Sequence, residues 1–121
     1  MNLTFDKSCL EVKLFSLPSA VPHLRDVALL FTQNVRVEMH EVFEPTCNPG
    51  HTLRIRMESA SCLAELTVWS SGTTAMQVIE LEQDRCVLDR SDVVLNDTNW
   101  KDTLDSIFFD RVRQTLAPEP R

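Results

Sequence analysis

Hydrophobic and polar residues alternate through most of the middle of the chain, most cleanly in the stretch from Cys62 to Glu82, CLAELTVWSSGTTAMQVIELE. Cys62, Ala64, Leu66 and Val68 share one face; Leu63, Glu65, Thr67 and Trp69 share the other. This is the period-two pattern of a strand half-buried on a core. After Ser70-Ser71-Gly72, Met76 and Val78 alternate with Gln77, Ile79 and Leu81. The stretch predicts a β-hairpin with Trp69 closing its first strand. Gly72 is one of two glycines in the chain, and a tight turn is where freedom to take positive φ is most useful.

The flanking segments supply the remaining elements. Leu3, Phe5, Leu10, Val12 and Leu14 alternate weakly, so residues 1–17 hold an extra strand or an extended arm. Leu17-Pro18-Ser19 interrupts it, and Pro22 suits the first turn of a helix, where a missing N–H costs nothing. Val21, Leu24, Val27, Ala28 and Phe31 then recur at helical spacing and predict a helix over 20–33. Val35, Val37 and Met39 alternate with Arg36, Glu38 and His40, giving a strand over 35–42. The loop FEPTCNPG follows, then a strand on Leu53, Ile55 and Met57, and a short turn into the central hairpin. The strand expected over 85–94 alternates poorly and predicts a bulge or break near Ser91.

Asn96-Asp97-Thr98-Asn99 is rich in residues that cap helices. Trp100, Leu104, Ile107, Phe108 and Val112 follow at spacings that predict a helix over 99–116, with Asp102, Asp105 and Asp110 towards water. The tail 117–121 is expected to fray. The short connections imply an α+β fold: an antiparallel meander of about five strands with an N-terminal and a C-terminal helix packed on the sheet. At 121 residues the chain has room for one core, so 1–121 is expected to be a single domain.

Composition narrows the function classes. With 12 Lys plus Arg against 18 Asp plus Glu, the net charge is −6. Nucleic acid and anionic membranes both reward a basic surface, so neither is the expected partner; a basic protein is. No apolar run approaches the ~18 residues that cross a bilayer. Cysteines stand at 9, 47, 62 and 86 without a C-x-x-C pair, and the N-terminus lacks the pattern of a signal peptide. Free thiols in a reducing, cytoplasmic setting are therefore expected.

Motifs for catalysis are missing: there is no phosphate-binding loop, no G-x-S-x-G and no H-E-x-x-H. We assign no catalytic residue, cofactor or metal. His40, Cys47 and His51, with Glu41 or Glu44, are ligand types that suit zinc, and a hairpin would bring the two histidines near one another. Their spacing matches no zinc motif, and solvated loop residues are the alternative. Charge is more informative. Between residues 80 and 110 lie nine carboxylates against Arg85, Arg90 and Lys101, so the whole net charge resides there. The segment forms either a docking face for a basic partner or an ordinary solvated face. Candidate partner-binding residues are Glu80, Glu82, Asp84, Asp89, Asp92 and Asp97, with Trp69 either an anchor on the open side of its strand or packed beneath a neighbour.

A strand ending in Trp69, the Ser70-Ser71-Gly72 turn, a strand running into acidic residues and a closing amphipathic helix together resemble the TriTu family of immunity proteins. The resemblance spans residues 51–116. Such proteins often have a glycine turn after the acidic strand, where this chain has Glu82-Gln83-Asp84-Arg85. The resemblance implies a small cytosolic, non-catalytic antitoxin of bacterial polymorphic-toxin and contact-dependent growth-inhibition systems. Its partner would be a cognate toxin C-terminal domain, basic and nuclease-like, covered by an acidic surface. Two rivals remain: a small acidic secretion chaperone, which predicts a homodimer with an apolar groove, and a metal-dependent enzyme centred on His40, Cys47 and His51.

Overall fold

Five antiparallel strands form one sheet in their order along the chain: β1 (Arg36–Phe43), β2 (His51–Glu58), β3 (Cys62–Trp69), β4 (Thr74–Glu80) and β5 (Arg85–Arg90). The structure is a computed structural model and describes residues 15–31, 35–43 and 51–116. Helix α1 (Leu17–Leu29) precedes the sheet. A C-terminal helix follows it in three consecutive pieces: α2 (Trp100–Leu104), a π turn (Asp105–Phe109) and α3 (Asp110–Leu116). This is the expected α+β meander with both helices against one side of the sheet. The arm expected before residue 15, the loop 44–50 and the tail 117–121 lie outside the described residues.

Alternation sorts the strands onto two faces. Leu53, Ile55 and Met57 of β2, Cys62, Ala64, Leu66 and Val68 of β3, and Met76 and Val78 of β4 are all buried, and cross-strand register puts them side by side. Their other side is closed by Leu17, Ala20, Val21, Leu24 and Ala28 of α1 and by Leu104, Phe108, Phe109 and Val112 of the C-terminal helix. Burial raises the Cys62 thiol to about 11, so it remains protonated at neutral pH as a small apolar side chain.

Both helices differ in detail from the sequence expectation. Helix α1 begins at Leu17 rather than residue 20, because Pro18 already fits the first turn, and Pro22 falls inside the helix. In the C-terminal helix the i, i+4 series Trp100, Leu104, Phe108 is interrupted by the π turn, which holds one residue more than an α turn. The extra residue lets Phe108 and its neighbour Phe109 both point inward, with ring centroids 5.1 Å apart in edge-to-face geometry. Ile107 is half-buried instead of forming the inner stripe. Asn96 performs the capping: its Oδ1 accepts from the backbone N–H groups of Thr98 and Asn99, each at 2.9 Å.

The two hairpins that flank β4 are built differently. Trp69 N–H donates to the Thr73 carbonyl at 3.0 Å and Gly72 N–H to the Trp69 carbonyl at 2.9 Å, closing a three-residue turn with Gly72 at φ 94°. A Cβ on Gly72 would stand 2.5 Å from the Leu95 carbonyl oxygen, so close backbone approach also requires glycine here. At the opposite end, Leu81 to Asp84 form an exposed turn in which Asp84 takes φ 53°. Asp tolerates this region better than most side chains, so the turn forms where related chains often have glycine. The expected irregularity of the last strand is real. Register slips between Val78 and Ile79, β5 stops at Arg90, and the chain touches the sheet again only through a Thr73–Val94 bridge.

Candidate functional site

The sheet face turned away from the helices is the surface on which polar chemistry collects. Strand register aligns Glu38, Arg56, Glu65, Gln77 and Asp89 in one row across β1 to β5. The next row towards the Gly72 end holds His40, Arg54, Thr67 and Ala75, and Thr52 faces Trp69 beyond it. Within the first row Arg56 Nη1 reaches Glu65 Oε2 at 3.4 Å, a partly exposed pair. Thr67 and Ala75 are the small side chains of this surface. Beside them lies a dip of about 230 Å³ whose walls include Glu65, Gln77, Asp89 and Arg90.

The structure places Trp69 and Asp89 on this open face. Trp69 is half-buried two residues beyond Thr67 on the same strand and side, as the buried Val68 requires. The other candidate residues are dispersed. Glu80 pairs with Cys62 across the strands and so lies on the helix side, where its Oε1 sits 3.3 Å from Arg85 Nη2. That contact is electrostatic, since the buried oxygen receives no aligned hydrogen bond. Glu82 and Asp84 occupy the exposed turn after β4. Asp92 binds Arg90, with Nε at 3.0 Å and Nη2 at 3.1 Å, and this charge-assisted pair lowers the Asp92 pKa. Asp97 stands where α1 meets the C-terminal helix and accepts the Ser16 N–H at 3.1 Å.

Several of the nine carboxylates are therefore neutralised locally. Arg85 takes Glu80 and Arg90 takes Asp92, while Arg113 reaches both Asp105 at 3.4 Å and Asp110 at 2.7 Å. Glu82, Asp84 and Asp89 have no cationic partner among the described residues, and all three lie along β5 and its preceding turn. Glu65, Thr67 and Gln77 are the functional candidates that sequence reasoning passed over. The parity of β3 puts Glu65 and Thr67 on the Trp69 face; what brings Asp89 beside them is the register across two turns.

The two histidines do not meet as the sequence suggested. His51 pairs across the strands with Phe43, and His40 is three positions away, an odd offset that sends it to the opposite face. His51 instead donates from Nε2 to Glu41 Oε2 at 2.8 Å on the helix side. Cys47 and Glu44 lie outside the described residues, and no group of three or more metal-ligand types gathers among those described.

Fold and surface define a small α+β protein that presents a polar sheet face and an acidic edge to other molecules. No described helix is long and apolar enough to cross a membrane. The sequence model of the family Immunity protein TriTu matches residues 27–109, from inside α1 to the last residue of the π turn. That match covers more than half of the chain, which belongs to the TriTu family of immunity proteins. Immunity is accordingly its function and a cognate toxin its partner. No curated protein and no solved structure matches the chain.

Proposed function

We propose that this immunity protein acts by occupancy, as a non-catalytic cytoplasmic antitoxin. It would bind the C-terminal domain of a toxin of a contact-dependent growth-inhibition or related polymorphic-toxin system. Family membership carries this reading. Charge supports its finer part, a basic, nuclease-like toxin: Glu82, Asp84 and Asp89 stand uncompensated along one edge of a chain with net charge −6. A nuclease holds phosphates with a basic groove, and carboxylates that imitate those phosphates steer themselves into it. Steering of this kind raises association above the ~10⁵–10⁶ M⁻¹s⁻¹ of uncharged surfaces.

A secretion chaperone would instead show an apolar groove. The large exposed apolar residues among those described, Leu29, Leu30, Val42, Leu81 and Val94, fall on separate elements, and the open sheet face is polar. The test is co-expression with the product of the adjacent toxin gene, capture on a tag, and size-exclusion chromatography. A one-to-one complex in which toxicity disappears is the expected result, with association slowing as salt rises. Failure to capture the toxin or rescue its host would overturn the reading.

A further inference from the structure

We propose that the dip on the open sheet face is the seat of one basic side chain, an arginine, projected by the toxin. This rests on the immunity reading above and names the contact that reading leaves unspecified. The dip exists because Thr67 and Ala75 are short while their neighbours in the next row, Glu65, Gln77 and Asp89, are long. Two carboxylates, Glu65 and Asp89, stand two strands apart, roughly 10 Å at the spacing of neighbouring strands. They flank a floor of a methyl group and a hydroxyl.

An independent observation points into the same place. Thr67 is 8% exposed, yet its hydroxyl has no hydrogen-bond partner among the described residues while its side chain lines the dip. A hydroxyl so placed is costly unless something supplies its hydrogen bond. The volume, about 230 Å³, is below the range of small-molecule pockets and suits a single side chain. Complementarity selects which one. A guanidinium has five donors and no acceptor, enough to serve both carboxylates and the Thr67 hydroxyl at once, and its stem can lie on Ala75. Asp89 has no cation of its own, and Glu65 has only the 3.4 Å, partly exposed pair with Arg56, so both can take a cation that arrives. Arg90 on the rim is held away by its two bonds to Asp92. Trp69 stands on the same face two residues from Thr67, placed to cover the incoming side chain from one end.

Two measurements test this. In the first, the ¹⁵N-labelled protein is titrated with N-acetylarginine amide to high millimolar concentration, with N-acetylglutamine amide as the neutral control. Amide shifts confined to Thr67, Ala75, Gln77 and Asp89, absent with the control and absent in a Glu65→Gln/Asp89→Asn variant, are expected; no such shifts overturn the proposal without reference to any toxin. In the second, toxin dissociation is measured. Glu65→Gln/Asp89→Asn should raise the dissociation rate at least ~10-fold, and the shape-preserving Thr67→Val should raise it less. Glu82→Gln/Asp84→Asn, in the distant turn, should slow association while leaving dissociation unchanged. Toxin capture by the wild type with unaltered dissociation in both dip variants overturns this inference alone. No capture by the wild type overturns the immunity reading, and with it the occupant named here.

Discussion

The two ends of β4 solve one problem, reversing the chain, with opposite degrees of constraint. At the Gly72 end every backbone group near the turn has a partner. Leu95 N–H donates to the Gly72 carbonyl at 2.8 Å, and the buried Thr74 hydroxyl donates to the Val93 carbonyl at 2.7 Å. At the Asp84 end four exposed residues are closed by a single 3.3 Å bond from Asp84 N–H to the Leu81 carbonyl. The tight end carries Trp69 and leads into the open-face dip; the loose end carries uncompensated charge. A surface that must hold a shape is anchored to the core, whereas one that only needs to be negative can be left to move.

The largest effect that would break this contrast is Gly72→Ala. The substitution adds the cost of a non-glycine residue at positive φ to a Cβ driven against the Leu95 carbonyl. A loss of ~2–4 kcal/mol is expected from urea unfolding. If Gly72→Ala is nearly neutral, the turn is not locked and the comparison fails. Next comes Thr74→Val, which keeps the shape but leaves the Val93 carbonyl without its donor. It should cost ~1–3 kcal/mol, with Trp69 fluorescence reporting any loosening nearby.

At the other end the sign reverses. Asp84→Gly should stabilise by ~0.5–1 kcal/mol, because the native φ of 53° is one that glycine takes freely. A measurable loss would show that the aspartate does something in the turn besides tolerate it. Smallest of all is the effect of inserting Gly-Ser between Glu82 and Gln83. Lengthening a flexible, exposed turn by two residues should change stability by less than ~0.6 kcal/mol. The same insertion between Ser70 and Ser71 should be far more damaging, and equal effects at the two sites would erase the distinction.

What the sequence disclosed follows from the range of the interactions involved. Strand faces were legible because period two is written residue by residue, and the hairpin was legible because Gly72 interrupts it. Helix ends were less so: Pro18 and Pro22 both fit a first turn, and the choice fell to the packing of Leu17 and Ala20. The π turn left no local mark; it reconciles Phe108 and Phe109 with a core already filled from the sheet side. Register was the hidden quantity at the candidate site. Asp89 reaches the row of Glu65 and Gln77 only after two turns and one register slip have been counted correctly, and His40 misses His51 through one odd offset. The even-looking run of carboxylates in the sequence likewise conceals which are paired, because Arg113 neutralises Asp105 and Asp110 from beyond the window.

The π turn makes the C-terminal helix a counter of residues. An α-helix that has absorbed one extra residue has its halves set in phase by that residue alone, each position being worth about 100° of rotation. Deleting Ser106 would restore a regular helix and swing Asp110–Leu116 by that angle, taking Val112 off the core and leaving one of the two phenylalanines without a place. Single-residue insertions and deletions should therefore vanish from this helix in a random-indel library selected for folding, while they persist between Leu81 and Asp84. The same chain thus has one segment whose length is fixed to the residue and another whose length is nearly free, and new toxin specificities would be reached most cheaply by remodelling the second.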